Sequence, residues 1–145
     1  MSYDTLTRSV VFVVVLAVLL VGHSLGDHVA QTDRQATEKA GPGAAGWRAL
    51  AAHLLSYHVT ITAALLLTCA VLRLPLSLAG VLAGVAFSAV THGLLDRRWP
   101  VRAVLRATGS PQFADTTSPV CGMYVADQAL HQASLLISAL LIAGL

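Results

Sequence analysis

Charge is what this chain has least of. Only 11% of its 145 residues are charged, against 56% hydrophobic, and its mean hydropathy is +0.73. An ordinary soluble domain is roughly 45–50% apolar and about 25% charged. That deficit excludes a disordered chain and turns the expectation from a soluble globule to a membrane protein. The formal net charge of +2 is too small to mark a nucleic-acid binder, so no nucleic acid is expected as partner. Cysteine is scarce too: Cys69 and Cys121 stand in unrelated contexts, with no CxxC and no disulfide framework. No repeat recurs at a period of about 20–50 residues.

What the chain does have is four long apolar stretches. They run from about Ser9 to Gly26, Leu50 to Leu72, Leu74 to Leu95 and Gly122 to Leu145. Each approaches the ~20 residues that a helix needs to cross a hydrocarbon core of about 30 Å. Backbone groups in lipid must satisfy one another, so helices are expected. The fold class read from this is all-α: a polytopic membrane protein with four transmembrane helices in an antiparallel bundle, one domain over residues 1–145. The first stretch is read as a span and not as a cleaved leader, because it outruns an h-region of about 7–15 residues. Arg73 and Pro75 mark a tight turn between the second and third stretches, with Pro75 in the first turn of the third helix. Gly80-x-x-x-Gly84 allows close helix contact.

Four spans place both termini and the Arg73 turn on one side and the two long loops on the other. The long-loop side holds Arg34, Lys39, Arg48, Arg97, Arg98, Arg102 and Arg106, while the other side holds Arg8 and Arg73. Seven basic residues against two put the long loops in the cytoplasm and both termini outside. The Ala/Val/Leu/Arg-rich usage is that of a high-GC bacterium, hence a bacterial cytoplasmic (inner) membrane. Arg97, Arg98, Trp99, Arg102 and Arg106 suit a short basic segment on the membrane surface.

The chemistry lies in the histidines. The first helix ends in His23-x-x-x-Asp27 and the third in His92-x-x-x-Asp96. The second begins with His53-x-x-x-Tyr57 and the fourth with Asp127-x-x-x-His131. Residues four apart stack on one helical face. Because the helices alternate in direction, all four pairs fall at the long-loop side. Ionisable groups inside a membrane bundle are costly and must compensate one another. Imidazole and carboxylate are ligands of zinc, manganese and iron, so a divalent transition metal, one or two ions, is expected. The metal-ligand candidates are His23, Asp27, His53, His92, Asp96, Asp127 and His131; Asp27, Asp96 and Asp127 are also candidate catalytic groups. Tyr57, Arg34, Lys39, Arg97 and Arg98 are candidate substrate contacts. Two other readings of the cluster stay open: an apolar bundle closed by His–Asp hydrogen bonds, and haem, which leaves the aspartates unexplained. His28 and His58 lie off the stacked faces and are read as bystanders. Gln128, beside Asp127, is read as an orienting or solvated residue.

With these residues in view, the chain resembles a family of small bacterial and phage integral membrane proteins of unknown function. The likeness rests on His23-Ser-Leu-Gly-Asp27 with Gln31-Thr32-Asp33, His53-Leu-Leu-Ser-Tyr57, Thr91-His92-Gly-Leu-Leu-Asp96-Arg97 and Ala126-Asp127-Gln128-Ala-Leu-His131. More loosely, the helix-end His-x-x-x-Asp pattern is similar to that of membrane-bound metal-dependent hydrolases. The second resemblance implies metal-dependent hydrolysis, and the basic loops suggest a lipid or other anionic amphiphile at the cytoplasmic leaflet as the substrate. A non-catalytic metal carrier or sensor, or a structural membrane partner, is the alternative. Membrane lipids, and a second copy of the chain as a homodimer, are the partners expected.

Overall fold

The computed structural model describes residues 2–145. The chain is helical throughout: α1 (Tyr3–His28), α2 (Asp33–Glu38), α3 (Gly43–Leu72), α4 (Leu78–Leu95), α5 (Trp99–Ala107), a 3-10 turn (Pro111–Asp115) and α6 (Gly122–Gly144). No strand occurs among the described residues. Helices α1, α3, α4 and α6 are each long and apolar enough to cross a membrane.

One stripe per long helix is buried. In α1 it runs Val11, Val15, Leu19, then Gly22, His23, Gly26 and Asp27; in α4 it is Gly80, Gly84, Ser88 and His92. This spacing of three and four keeps one face inward. Along each stripe the chemistry changes from apolar to His/Asp, so one packing direction builds both a core and a site. Helix α1 packs between α3 and α6, and the main partner of α4 is α6. The apolar core joins Val15 and Leu19 to Ile61, Leu65, Leu135 and Ile142.

Close approach of the long helices to one another relies on glycine at the α1–α3 and α4–α6 contacts. A Cβ on Gly26 would sit 2.6 Å from the Tyr57 ring, and one on Gly84 would sit 2.8 Å from the Ser138 carbonyl oxygen. The Gly80-x-x-x-Gly84 motif therefore seats α4 on α6 of the same chain.

Helix starts differ from those read from hydropathy. Helix α3 begins at Gly43, about two turns before Leu50, because small residues extend the helix without adding hydropathy. Helix α4 begins at Leu78, four residues past Leu74, because the Ser77 hydroxyl caps it by accepting the Gly80 N–H at 2.9 Å. Pro75 thus lies in the connector and not in the first helical turn. Arg73 ends α3 in the left-handed region, at φ 52°. The long loops contain helices of their own. Thr32 and Gln35 form a capping box on α2, and the basic segment from Trp99 becomes α5, anchored by the buried Val101.

Candidate metal centre

The four helix-end pairs meet. His23 and Asp27 project from the last turns of α1, His53 and Tyr57 from the first two turns after Leu50 in α3. His92 comes from the last turn of α4 and Asp96 caps that helix; Asp127 and His131 lie in the first half of α6. All are buried except Asp127, which is half-buried.

Four of their atoms converge. Asp27 Oδ1 lies 3.1 Å from His53 Nε2 and 3.3 Å from His92 Nε2. Asp96 Oδ2 lies 3.3 Å from each of the same two nitrogens, which are themselves 3.0 Å apart. A tetrahedral ion with ligand bonds of about 2.0–2.1 Å has ligand–ligand edges of about 3.3–3.4 Å, so each of these carboxylate oxygens stands at ligand spacing from both ring nitrogens. A hydrogen-bonded arrangement fits them less well. Each Nε2 carries at most one proton, pointing in one direction, yet His92 Nε2 has three polar neighbours at nearly equal distance and His53 Nε2 has four, the Lys39 ammonium among them. Both carboxylate oxygens, Asp27 Oδ1 and Asp96 Oδ2, are buried without a hydrogen-bond partner. Buried polar atoms rarely stay unpaired. Two overlapping groups that share His92 can hold a divalent ion: His23 with Asp27 and His92, and His53 with His92 and Asp96.

The remaining residues surround these four atoms. His23 is engaged at both ring nitrogens: the Tyr57 hydroxyl donates to Nδ1 at 3.1 Å, and Nε2–H donates to Gln128 Oε1 at 3.1 Å. It stands beside Asp27, with Nδ1 3.7 Å from Oδ2, and forms with Asp27 and His92 one of the groups that could hold an ion. The Gln128 amide reaches back to Asp27 Oδ2 at 3.4 Å. His131 donates from Nδ1 to its own Asp127 carbonyl oxygen at 2.9 Å. Its buried Nε2 has no partner and points toward Asp96 Oδ1, 4.0 Å away. The Tyr57 ring packs on His92 with centroids 3.9 Å apart.

The basic residues expected as substrate contacts separate into distinct roles. The Lys39 ammonium enters the cluster itself, 2.7 Å from Asp96 Oδ1 and 3.2 Å from His53 Nε2. Arg97 braces the loop that delivers it, donating to the Lys39 and Gly41 carbonyl oxygens at 2.8 and 2.9 Å while lying over the Trp47 ring. Arg34 pairs with Glu38 on the exposed surface. Arg98 lines a cleft of about 160 Å³ that leads to Asp27, Lys39, Asp96 and Asp127, with Tyr124 on its wall. Burial pushes the Asp96 carboxyl up, but the contacts with His92 and Lys39 outweigh it and hold Asp96 down at about 2.

Two members of this site escaped the sequence reading in their actual roles. Lys39 is the one lysine among nine basic residues, but that marks the residue and not its place in the cluster. Gln128 holds His23 and reaches toward Asp27, for which adjacency to Asp127 was the only hint. The bystanders are also more engaged than their positions promised. His58 turns its ring toward Tyr57 and His92, and His28 bonds the Tyr124 hydroxyl at 2.7 Å.

No curated protein and no solved structure matches this chain. One family profile does, over residues 15–145, a stretch that contains all four helix-end pairs and Lys39. The chain belongs to the protein family of unknown function DUF3307.

Proposed function

We propose that this protein is an integral membrane metal-binding protein that hydrolyses a lipid or other anionic amphiphile at the cytoplasmic leaflet. In this reading α1, α3, α4 and α6 span the bacterial inner membrane as an antiparallel bundle, with the long loops inside and both termini outside. Three things support the placement: four helices of spanning length, the basic bias of the long loops, and outer faces that expose Val13, Leu66, Leu67, Val71, Leu82 and Val90.

The observation that carries the metal is the convergence of Asp27 Oδ1, His53 Nε2, His92 Nε2 and Asp96 Oδ2 with two of those atoms unpartnered. Charge favours a single ion. Asp27, Asp96 and Asp127 bring three negative charges, and Lys39 with one divalent cation brings three positive ones. Zinc, manganese and iron all suit these donors. When bound, the ion supplies a Lewis acid that activates water and polarises a phosphoryl or acyl group. The chain's own residues do the rest. Asp127, at the cleft and only half-buried, accepts the proton that water gives up. Gln128 and Tyr57 hold His23 against Asp27, and so fix the orientation of that carboxylate.

The apolar half of the bundle argues against transport. Beyond the site the buried stripes carry only Ser88 and Ser138 as polar groups, so one copy of the chain offers no polar path. A second reading has its own observation. Two carboxylate oxygens that each contact the same two ring nitrogens would, if all four held one zinc ion, close it off from water, which is the arrangement of structural and sensing sites.

Metal content by mass spectrometry on detergent-purified protein tests the centre. One equivalent is expected in the wild type and none in His53→Ala or His92→Ala. A metal-free wild type after exposure to zinc, manganese and iron overturns it. Turnover of lipid phosphates or esters by the loaded protein then separates hydrolase from sensor.

A further inference from the structure

The cleft that leads to the centre changes the sign of its charge when an ion binds. It is lined by Asp27, Asp96 and Asp127, three carboxylates, and by the cations Lys39 and Arg98. Empty, this set sums to one negative charge; with a divalent ion it sums to one positive charge. The surplus positive group is Arg98. Lys39 is committed to Asp96, Arg97 to two carbonyl oxygens, Arg34 to Glu38 and Arg102 to Asp115. Arg98 has no carboxylate within ion-pair distance among the described residues. Its backbone is left-handed, at φ 64°, a conformation that residues with a side chain rarely adopt. It stands where α4 hands over to α5, at the mouth of the cleft.

From this we infer that the cleft is a metal-conditional anion site, in which Arg98 takes a phosphate-class group only after the ion is in place. The inference rests on the metal reading of the centre and names the group that the loaded site recognises. A guanidinium presents a planar fork matched to phosphate oxygens. Across the cleft the Tyr124 hydroxyl, bonded to His28, offers a second polar contact. The surroundings suit a phosphate carried by an amphiphile. Helix α5 runs on from Arg98 with exposed Trp99 and Val104, alongside Arg102 and Arg106, and is pinned by Val101. Such a helix lies naturally along a headgroup layer. Metal first and anion second is the order that the charges impose, because an empty cleft repels the anion.

The test uses the full chain in detergent, zinc-loaded or stripped with chelator. Inorganic phosphate and dihexanoyl phosphatidic acid are titrated separately by calorimetry, with zinc content measured in parallel. Zinc-loaded protein is expected to bind both probes, and stripped protein neither. Arg98→Gln is expected to weaken binding at least about tenfold while its zinc stays at one equivalent, with Arg98→Lys in between. Tighter binding of the phosphatidic acid assigns the site to a lipid headgroup; equal or tighter binding of inorganic phosphate assigns it to free phosphate. Binding that ignores zinc, or an Arg98→Gln variant that binds like the wild type, overturns the inference. Zinc bound with no anion bound overturns it too and leaves the metal centre standing. Zinc and anion bound with no lipid turned over removes the hydrolase reading and leaves this one. A protein that takes no zinc removes both.

Discussion

The two halves of the helix assembly share a packing scheme and differ in every energetic term. In one half Val11, Val15, Ile61, Leu65, Ala139 and Ile142 fill the space between helices with hydrocarbon. In the other, the same faces a few turns on present His23, Asp27, His53, His92, Asp96 and His131, nearly as deeply buried. The apolar half is satisfied as it stands. Tight packing holds it. The polar half is not satisfied: carboxylate oxygens and ring nitrogens lack partners although they crowd together. Equal burial with unequal satisfaction separates a core from a site. The first needs only volume, while the second can hold a cation.

The largest expected effect splits the halves outright. Asp27→Asn keeps shape and removes one ligand charge, so metal content falls from one equivalent to none while the protein still purifies folded. Leu65→Ala, in the apolar half, is expected to do the reverse. It leaves metal content intact and lowers stability by about 2–5 kcal/mol, the usual cost of emptying a packed site. Metal analysis beside unfolding in mixed micelles reads both variants. If Leu65→Ala lost the metal and Asp27→Asn kept it, the division between halves would fail.

How far the sequence shows this division depends on where each residue sits. Helix-end pairs four apart were legible, because i to i+4 spacing fixes a shared face, and alternating helix direction brings the pairs to one end. The sorting within the cluster was not. His23 and His53 have equivalent spacing, and only the close seat of Gly26 on Tyr57 decides that Tyr57 and Gln128 consume the His23 nitrogens. Lys39 was illegible as a member of the cluster because it arrives from a loop. Its place depends on Arg97 clamping two backbone carbonyl oxygens and on Gly46, where a Cβ would run into the Gly41 carbonyl oxygen. The helix starts at Gly43 and Leu78 were hidden for a simpler reason. Small residues and a serine cap set them, and neither alters hydropathy.

A smaller effect tests whether the polar half extends past its four converging atoms. Gln128→Leu leaves every candidate ligand in place but frees the His23 ring and the outer oxygen of Asp27. Groups that orient ligands this way are worth about 10–100-fold in metal affinity. Competition with a chromogenic chelator is expected to show a loss in that range with stoichiometry unchanged. Unchanged affinity would confine the centre to Asp27, His53, His92 and Asp96 alone.

The smallest effect concerns an unpaired atom on the wrong side of the division. Ser138 Oγ is buried in the apolar half without a hydrogen-bond partner, as Asp27 Oδ1 is in the polar half. The likeness is only formal. Ser138 packs into the α4–α6 contact opposite Gly84, and no other ligand atom converges on it. A lone hydroxyl of this kind serves no cation and only carries its own desolvation cost. Ser138→Ala removes that cost at almost constant volume, so it is expected to stabilise the protein by up to about 1 kcal/mol and to leave metal affinity unchanged. Unfolding in mixed micelles, with the chelator competition repeated, checks both. A fall in metal affinity would mean that the hydroxyl belongs to a polar route running beyond the site, and the apolar half would then no longer argue against transport.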